Sequence, residues 1–303
     1  MARWLAFGSA AGLALGLLAS WLAGSAMVAP RPMAISDPPS PAKAMTTVAS
    51  DGATVAGSYW PGRAADTPAV LMLHGVQSNR LQHAATAGWL AARGYAVLAI
   101  DFRGHGESAP RPRSFGVNEA RDAAAALAWL RRRQPARRIA VVGASMGGAA
   151  ALLGEDGPLD VDALVLQAVY PDIRHAIRNR IAERLGRPIA TLLEPLLSFQ
   201  TRARLGVWPD AISPMTAIAA FKAPVLVIGG GNDRSTPPAE TRALAGAVPR
   251  LASLWIVPGL GHAETTGLAS NDYRRRLARF LVATIGAPAP PAAPRRLPAA
   301  DRS

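Results

Sequence analysis

Six short apolar runs, at 69–73, 96–100, 139–142, 163–166, 225–228 and 254–257, are separated along the chain by segments long enough to hold a helix. Each run is apolar at both alternating positions, the pattern of a parallel strand covered on two faces. The intervals carry helical signals. Asn118 stands where a helix N-cap belongs, Glu119 opens an Ala-rich stretch, and Arg131, Arg132 and Arg133 gather at its far end, where the helix dipole favours cations. Segments 82–93 and 271–285 read likewise, while 54–60 alternates and predicts an early antiparallel edge strand. The order strand, helix, strand, helix predicts an α/β fold with a mainly parallel sheet flanked by helices.

Composition limits the rest. Half of the 303 residues are apolar and 17% are charged, enough for a body with a buried core. The net charge of +13 comes almost entirely from arginine, since Lys43 and Lys222 are the only lysines. Those arginines are scattered, with no aromatic-interleaved basic stripe, so no nucleic-acid partner is expected. The chain has no cysteine, which excludes disulfides, thiolate metal sites and a cysteine nucleophile. No metal or other cofactor is predicted.

The two ends differ from the body. Residues 4–29 are uncharged and follow Arg3. Within 1–29, one reading is a signal peptide with Gly24 and Ala26 as small residues before a cut; the other is an uncleaved anchor, because the apolar run is long enough to cross a bilayer. Either predicts an exported protein, periplasmic or membrane-anchored in a bacterium, and the anchor reading adds membrane association through 4–29. Residues 30–44 are Pro-rich and predict an extended spacer; 45–285 form the body; 286–303, rich in Pro, Ala and Arg, predict a tail without fixed structure.

One interval breaks the rhythm of the body. About fifty residues, 170–221, hold no convincing strand and predict an inserted helical cap. Ile173, Ile177, Ile181 and Leu185 share one helical face, and Ile189, Leu192, Leu193, Leu196 and Leu197 form a second apolar group. Seven arginines lie among residues 172–204 against Asp172, Glu183 and Glu194. They either favour anionic or amphiphilic substrates or form a solvated outer face while the Ile and Leu residues pack on the sheet; the second is the plainer reading.

The chemistry centres on Gly143-Ala144-Ser145-Met146-Gly147-Gly148, directly after the run 139–142 and before a helix-prone stretch. Flanking glycines permit a sharp strand-to-helix turn that projects the Ser145 hydroxyl, although such a pentapeptide also occurs as a plain tight turn. Two partners follow in the required order, each in the loop after a later strand: Asp233 after 225–228, and His262 after 254–257. A serine hydroxyl needs a base at neutral pH, imidazole has a suitable pKa, and a carboxylate fixes its tautomer and stabilises the imidazolium. Upstream, 69–73 leads into His74-Gly75-Val76-Gln77, where a turn can aim an amide at an oxyanion. The expected donors are the backbone amides of Val76 and Met146, with His74, Gly75, Gly143 and Gly147 supporting the site. In the loop 101–108, Asp101 and His105 are expected to hold turns.

The set HGVQSNR (74–80), DFRGHGES (101–108), GASMGG (143–148), GGGND (229–233) and PGLGH (258–262) resembles the α/β-hydrolase superfamily, particularly its serine aminopeptidase-like and monoacylglycerol-lipase-like branch. The resemblance covers roughly 45–285. It implies an eight-stranded sheet, a cap over one edge, metal-free chemistry, and hydrolysis of an ester, thioester or amide. The chain has Ala144 where this branch often has His, and its cap matches no named subfamily. Asp172 competes with Asp233 as the acid, since some members of the superfamily place it there. The leading expectation is an esterase or lipase-like serine hydrolase acting on a small acyl substrate, amphiphilic or anionic. The alternatives are a thioesterase, an aminopeptidase using Glu183 or Glu194 to hold an amine, and a tethered binding protein on the same fold.

Overall fold

The computed structural model describes residues 2–36, 40–64, 66–135 and 138–289 of the chain. Eight of its strands form one sheet: β1 (Lys43–Val48), β2 (Thr54–Trp60), β3 (Ala69–Leu73), β4 (Ala96–Ile100), β5 (Ile139–Ala144), β6 (Ala163–Gln167), β7 (Val225–Gly230) and β8 (Ala252–Val257). Their spatial order is β8-β7-β6-β5-β3-β4-β2-β1. The strands from β8 to β4 are parallel, and β2 joins β4 and β1 in antiparallel register.

Parallel register brings the carboxyl ends of six strands to one edge. Leu73 pairs with Gly143, Ala144 with Gln167, Gln167 with Ile228, and Gly230 with Val257. The end of β5 and the loops and helix starts at this edge hold the predicted site residues.

Eleven helices are described: α1 (Ala2–Val28), α2 (Ala84–Ala92), α3 (Glu119–Arg133), α4 (Met146–Leu152), α5 (Ile173–Leu185), α6 (Arg187–Ser198), α7 (Gln200–Leu205), α8 (Pro214–Ala217), α9 (Pro238–Gly246), α10 (His262–Thr266) and α11 (Asn271–Ile285). Alternate residues of β3 show how the two faces are covered. Ala69, Leu71 and Leu73 face a core shared with α3, α4 and α9, whereas Val70 and Met72 face one shared with α2 and α11. Both faces are buried, and their apolar contact supplies the main driving force for the fold.

The structure corrects several expectations. Thr54–Trp60 is not the edge, because β1 pairs along its whole length. The β1 strand is hard to read in the sequence because Met45 is its one fully buried side chain. The edge on the opposite side is β8, which pairs only with β7 and is partly exposed rather than buried. Asn118 makes no capping bond. Glu119 instead folds back, its carboxylate accepting from the Ser114 and Gly116 amides, while the Ser114 hydroxyl accepts from the Asn118 amide at 2.7 Å. Glu119 thereby braces the preceding turn, whose backbone serves the helix start: the Ala120 and Arg121 amides donate to the Gly116 and Asn118 carbonyls.

Residues 31–35 of the Pro-rich segment do not hang free, while 37–39 lie outside the described residues. The amides of Arg31 and Met33 donate to the carbonyls of Gly104 and Gly106 at 2.8 Å, and Ile35 is buried. The preceding α1 rests against the cap, and among the described residues no helix is long and apolar enough to cross a membrane. At the other end, 290–303 of the predicted tail lie outside the described residues.

The cap is formed by α5 to α8 between β6 and β7. Ile173 and Ile177 pack with Ile212 as an amphipathic stripe should, but Leu185 is exposed. The second apolar group does not cover the sheet: Ile189, Leu192 and Leu196 are all exposed.

Candidate active site

Ser145 follows β5 at the start of α4 with φ 47° and ψ −113°. A positive φ on a residue with a Cβ costs on the order of 1–3 kcal/mol and persists only where surroundings impose it. Here they do. A Cβ on Gly147 would lie 2.2 Å from the Leu73 carbonyl oxygen, and one on Gly143 would lie 2.6 Å from the Gly148 backbone. The helix therefore approaches β3 and β5 more closely than any side chain allows. The Ser145 amide is spent on the Gln167 carbonyl at 2.8 Å, which fixes the turn and leaves the hydroxyl without a protein partner among the described residues.

Asp233 and His262 meet across adjacent loops. His262 Nδ1 donates to Asp233 Oδ2 at 2.8 Å, and the other carboxylate oxygen accepts the Thr236 amide at 2.7 Å. Asp233 is buried and His262 half-buried. With Nδ1 carrying the proton, Nε2 has its lone pair free, and no described protein group uses it. The loops are joined by their backbones, Gly231 donating to Val257 at 2.8 Å and Asn232 to Leu260 at 2.9 Å.

Two routes connect this pair to Ser145. On one side, the Thr236 hydroxyl donates to Ala168, the residue after the Gln167 that holds the serine amide. On the other, Gln82 accepts the Gly75 amide at 2.9 Å and donates to the Thr266 carbonyl at 2.9 Å, at the end of the helix His262 begins. Gly75 in turn overlies the serine, since a Cβ there would lie 3.6 Å from Ser145 Cβ. No hydrogen bond joins the Ser145 hydroxyl to His262 among the described residues, as is common in such sites before substrate is bound.

The amides of Val76 and Met146 donate to no protein acceptor among the described residues. The loop that presents Val76 is held by two imidazoles. His74 donates from Nδ1 to the Gly75 carbonyl at 2.7 Å and accepts the Phe102 amide at Nε2. His105 donates from Nδ1 to the Arg103 carbonyl and accepts the Gln77 amide at Nε2, 3.2 Å away, where Gln77 has φ 61°. Each ring must be neutral to accept at Nε2. Burial lowers both pKa values, and the proximity of the two rings lowers that of His74 further.

Asp101 is buried, accepting the Arg80 and Glu107 amides and pairing with the Arg80 guanidinium. Asp172, the competing acid, caps α5: it accepts the His175 amide at 2.9 Å and pairs with the His175 ring at 2.7 Å. It makes no bond to His262. Gln82, Thr236 and the accepting role of His105 are not apparent from the sequence, because each acts through a backbone group that the fold alone brings near.

The comparisons agree with the geometry. The profile of the serine aminopeptidase S33 family matches residues 65–202. An uncharacterized protein of Mycobacterium tuberculosis, Rv2307c, is 33% identical over 239 residues, covering 77% of each chain. YqkD of Bacillus subtilis, also uncharacterized, is 27% identical over 220 residues, covering 71% of this chain and 72% of its own. Among solved structures, the Pyrococcus furiosus esterase Pf2001 superposes with a TM-score of 0.69 at 22% identity, covering 86% of this chain and 99% of that one. With its strained strand-to-helix turn at Ser145, its mostly parallel sheet and these relatives, the chain belongs to the α/β-hydrolase superfamily.

Proposed function

We propose that the protein is a serine hydrolase of carboxylic esters, with Ser145 as nucleophile, His262 as general base and acid, and Asp233 as the orienting carboxylate. The observation that carries this reading is the 2.8 Å bond from His262 Nδ1 to Asp233 on the sheet edge that also holds the strained Ser145. The Ser145 oxygen attacks the acyl carbon while His262 Nε2 takes its proton. The resulting oxyanion is held by the Val76 and Met146 amides, which need no reorganisation because no described protein group occupies them. Collapse expels the alcohol with the proton from His262, and water then repeats the sequence on the acyl-enzyme.

Ester chemistry is favoured over amine-directed peptidase action. Glu194, a candidate amine holder, is 2% exposed and already faces Arg174 and Arg178, and Glu183 accepts the Ser235 hydroxyl. The uncharged run 4–29 supports an exported body.

A fluorophosphonate probe and a series of p-nitrophenyl esters of rising acyl length, run beside aminoacyl amides and acyl thioesters, test the reading. Labelling at Ser145 with turnover of the esters is expected. A folded protein that neither labels nor turns over esters would mark a binding protein, and faster turnover of amides or thioesters would reassign the substrate class.

A further inference from the structure

Helix α6 is turned inside out for a soluble protein. Ile189, Leu192 and Leu196, spaced along one face, point outward, with Leu192 74% exposed. The opposite face buries Ala190, Glu194 and Ser198. Water rewards the reverse arrangement, and an apolar environment outside the protein rewards this one.

The N-terminal helix extends the same surface. The Ser20 hydroxyl donates to the Leu196 carbonyl at 2.9 Å, Gln200 donates to the Ser20 carbonyl at 3.0 Å, and Arg204 donates to the Trp21 carbonyl at 2.8 Å. Gly24 allows this approach, since a Cβ there would overlap the Gln200 side chain. The seated side of α1 is thereby used, and Leu15, Leu18 and Leu22 remain exposed beside α6.

Charge identifies the occupant. Arg180, Arg184 and Arg187 surround the turn between α5 and α6, are exposed, and have no acidic partner among the described residues. Leucines outward with arginines at the margin are the pattern of a segment lying in the interface of an anionic bilayer, the guanidinium groups at phosphate level and the apolar chains below. A second copy on this face would bring the same unpaired arginines toward one another. We propose that α6 and α1 together dock on an anionic lipid bilayer, holding the cap against the lipid surface. This goes beyond the reaction assigned to Ser145 and does not depend on it.

The absence of native cysteine gives a direct test. L192C and, outside the cap on β8, L254C are each labelled with an environment-sensitive nitrobenzoxadiazole in the full chain and reconstituted in vesicles of phosphatidylcholine with phosphatidylglycerol. Both positions are exposed, so neither substitution disturbs the core. The dye at 192 is expected to shift to the blue and to be quenched by nitroxide lipids, with neither change at 254. Adding R180Q, R184Q and R187Q should lower the docked-to-free ratio by roughly a hundredfold. An aqueous spectrum at 192 in vesicle-bound protein, equal responses at 192 and 254, or lipid-independent cross-linking between two L192C chains would each overturn the proposal.

Discussion

Gln82 accepts the backbone amide of Gly75 at 2.9 Å, and through its own amide group it also holds the carbonyl of Thr266. One side chain thus ties the loop above Ser145 to the helix begun by His262. Gln82→Leu should lower kcat by roughly tenfold to a hundredfold, somewhat less than the loss of a direct oxyanion donor. KM should change little. Gln82→Glu keeps the acceptor for Gly75 but not the donor to Thr266, so steady-state kinetics on one p-nitrophenyl ester for both variants separates the two arms.

The assignment of the acid rests on partners. Asp233→Asn should reduce kcat by about ten-thousandfold, as expected when the imidazole loses its orienting carboxylate. Asp172→Asn should remain within a few-fold of wild type, since Asp172 serves a helix start. Asp172→Ala should instead cost about 1 kcal/mol of stability as a lost N-cap, read by thermal unfolding. Near wild-type turnover in Asp233→Asn with loss in Asp172→Asn would reverse the roles.

Gly147→Ala should be severe for a backbone reason. Its methyl group would sit 2.2 Å from the Leu73 oxygen, a contact that neither a rotamer change nor a flexible side chain can relieve. Overpacking typically costs about 1–3 kcal/mol, and a clash with backbone lies at the upper end. Any folded protein obtained should have a lower Tm and should label poorly with a fluorophosphonate.

Three buried histidines predict acid sensitivity. Burial lowers the pKa values of His74 and His105 and takes His83 to about 4. In the unfolded chain these rings bind protons near 6.5, while the folded rings stay neutral to lower pH. Stability is therefore full above 6.5 and falls as pH drops through that value toward about 4. Each histidine contributes a slope of up to about 1.4 kcal/mol per pH unit. Chemical denaturation across this window checks the trend, and His83→Gln should flatten it.

The parallel sheet was legible because its strands are apolar at both alternating positions, a pattern that β8 shows in sequence although it is partly exposed. Ser145, Asp233 and His262 were legible because each follows such a strand in a glycine-containing loop. The strand at 43–48 was not, because burying one face beside an exposed edge leaves little apolar signal. The role of Glu119 was hidden by Asn118, a better cap by residue type that the turn at 114–116 displaces. The outward leucines of α6 read as core because periodicity reports that a face exists, not which medium it meets.

The backbone bonds from Gly231 to Val257 and from Asn232 to Leu260 make the acid and imidazole loops a single rigid piece. The serine belongs to a different piece, fixed by the Gln167 carbonyl and the crowded glycines. Because Gln82 and Thr236 bridge the acid and imidazole piece to the surroundings of the serine, a shift of either loop is carried to the imidazole and to the serine turn together.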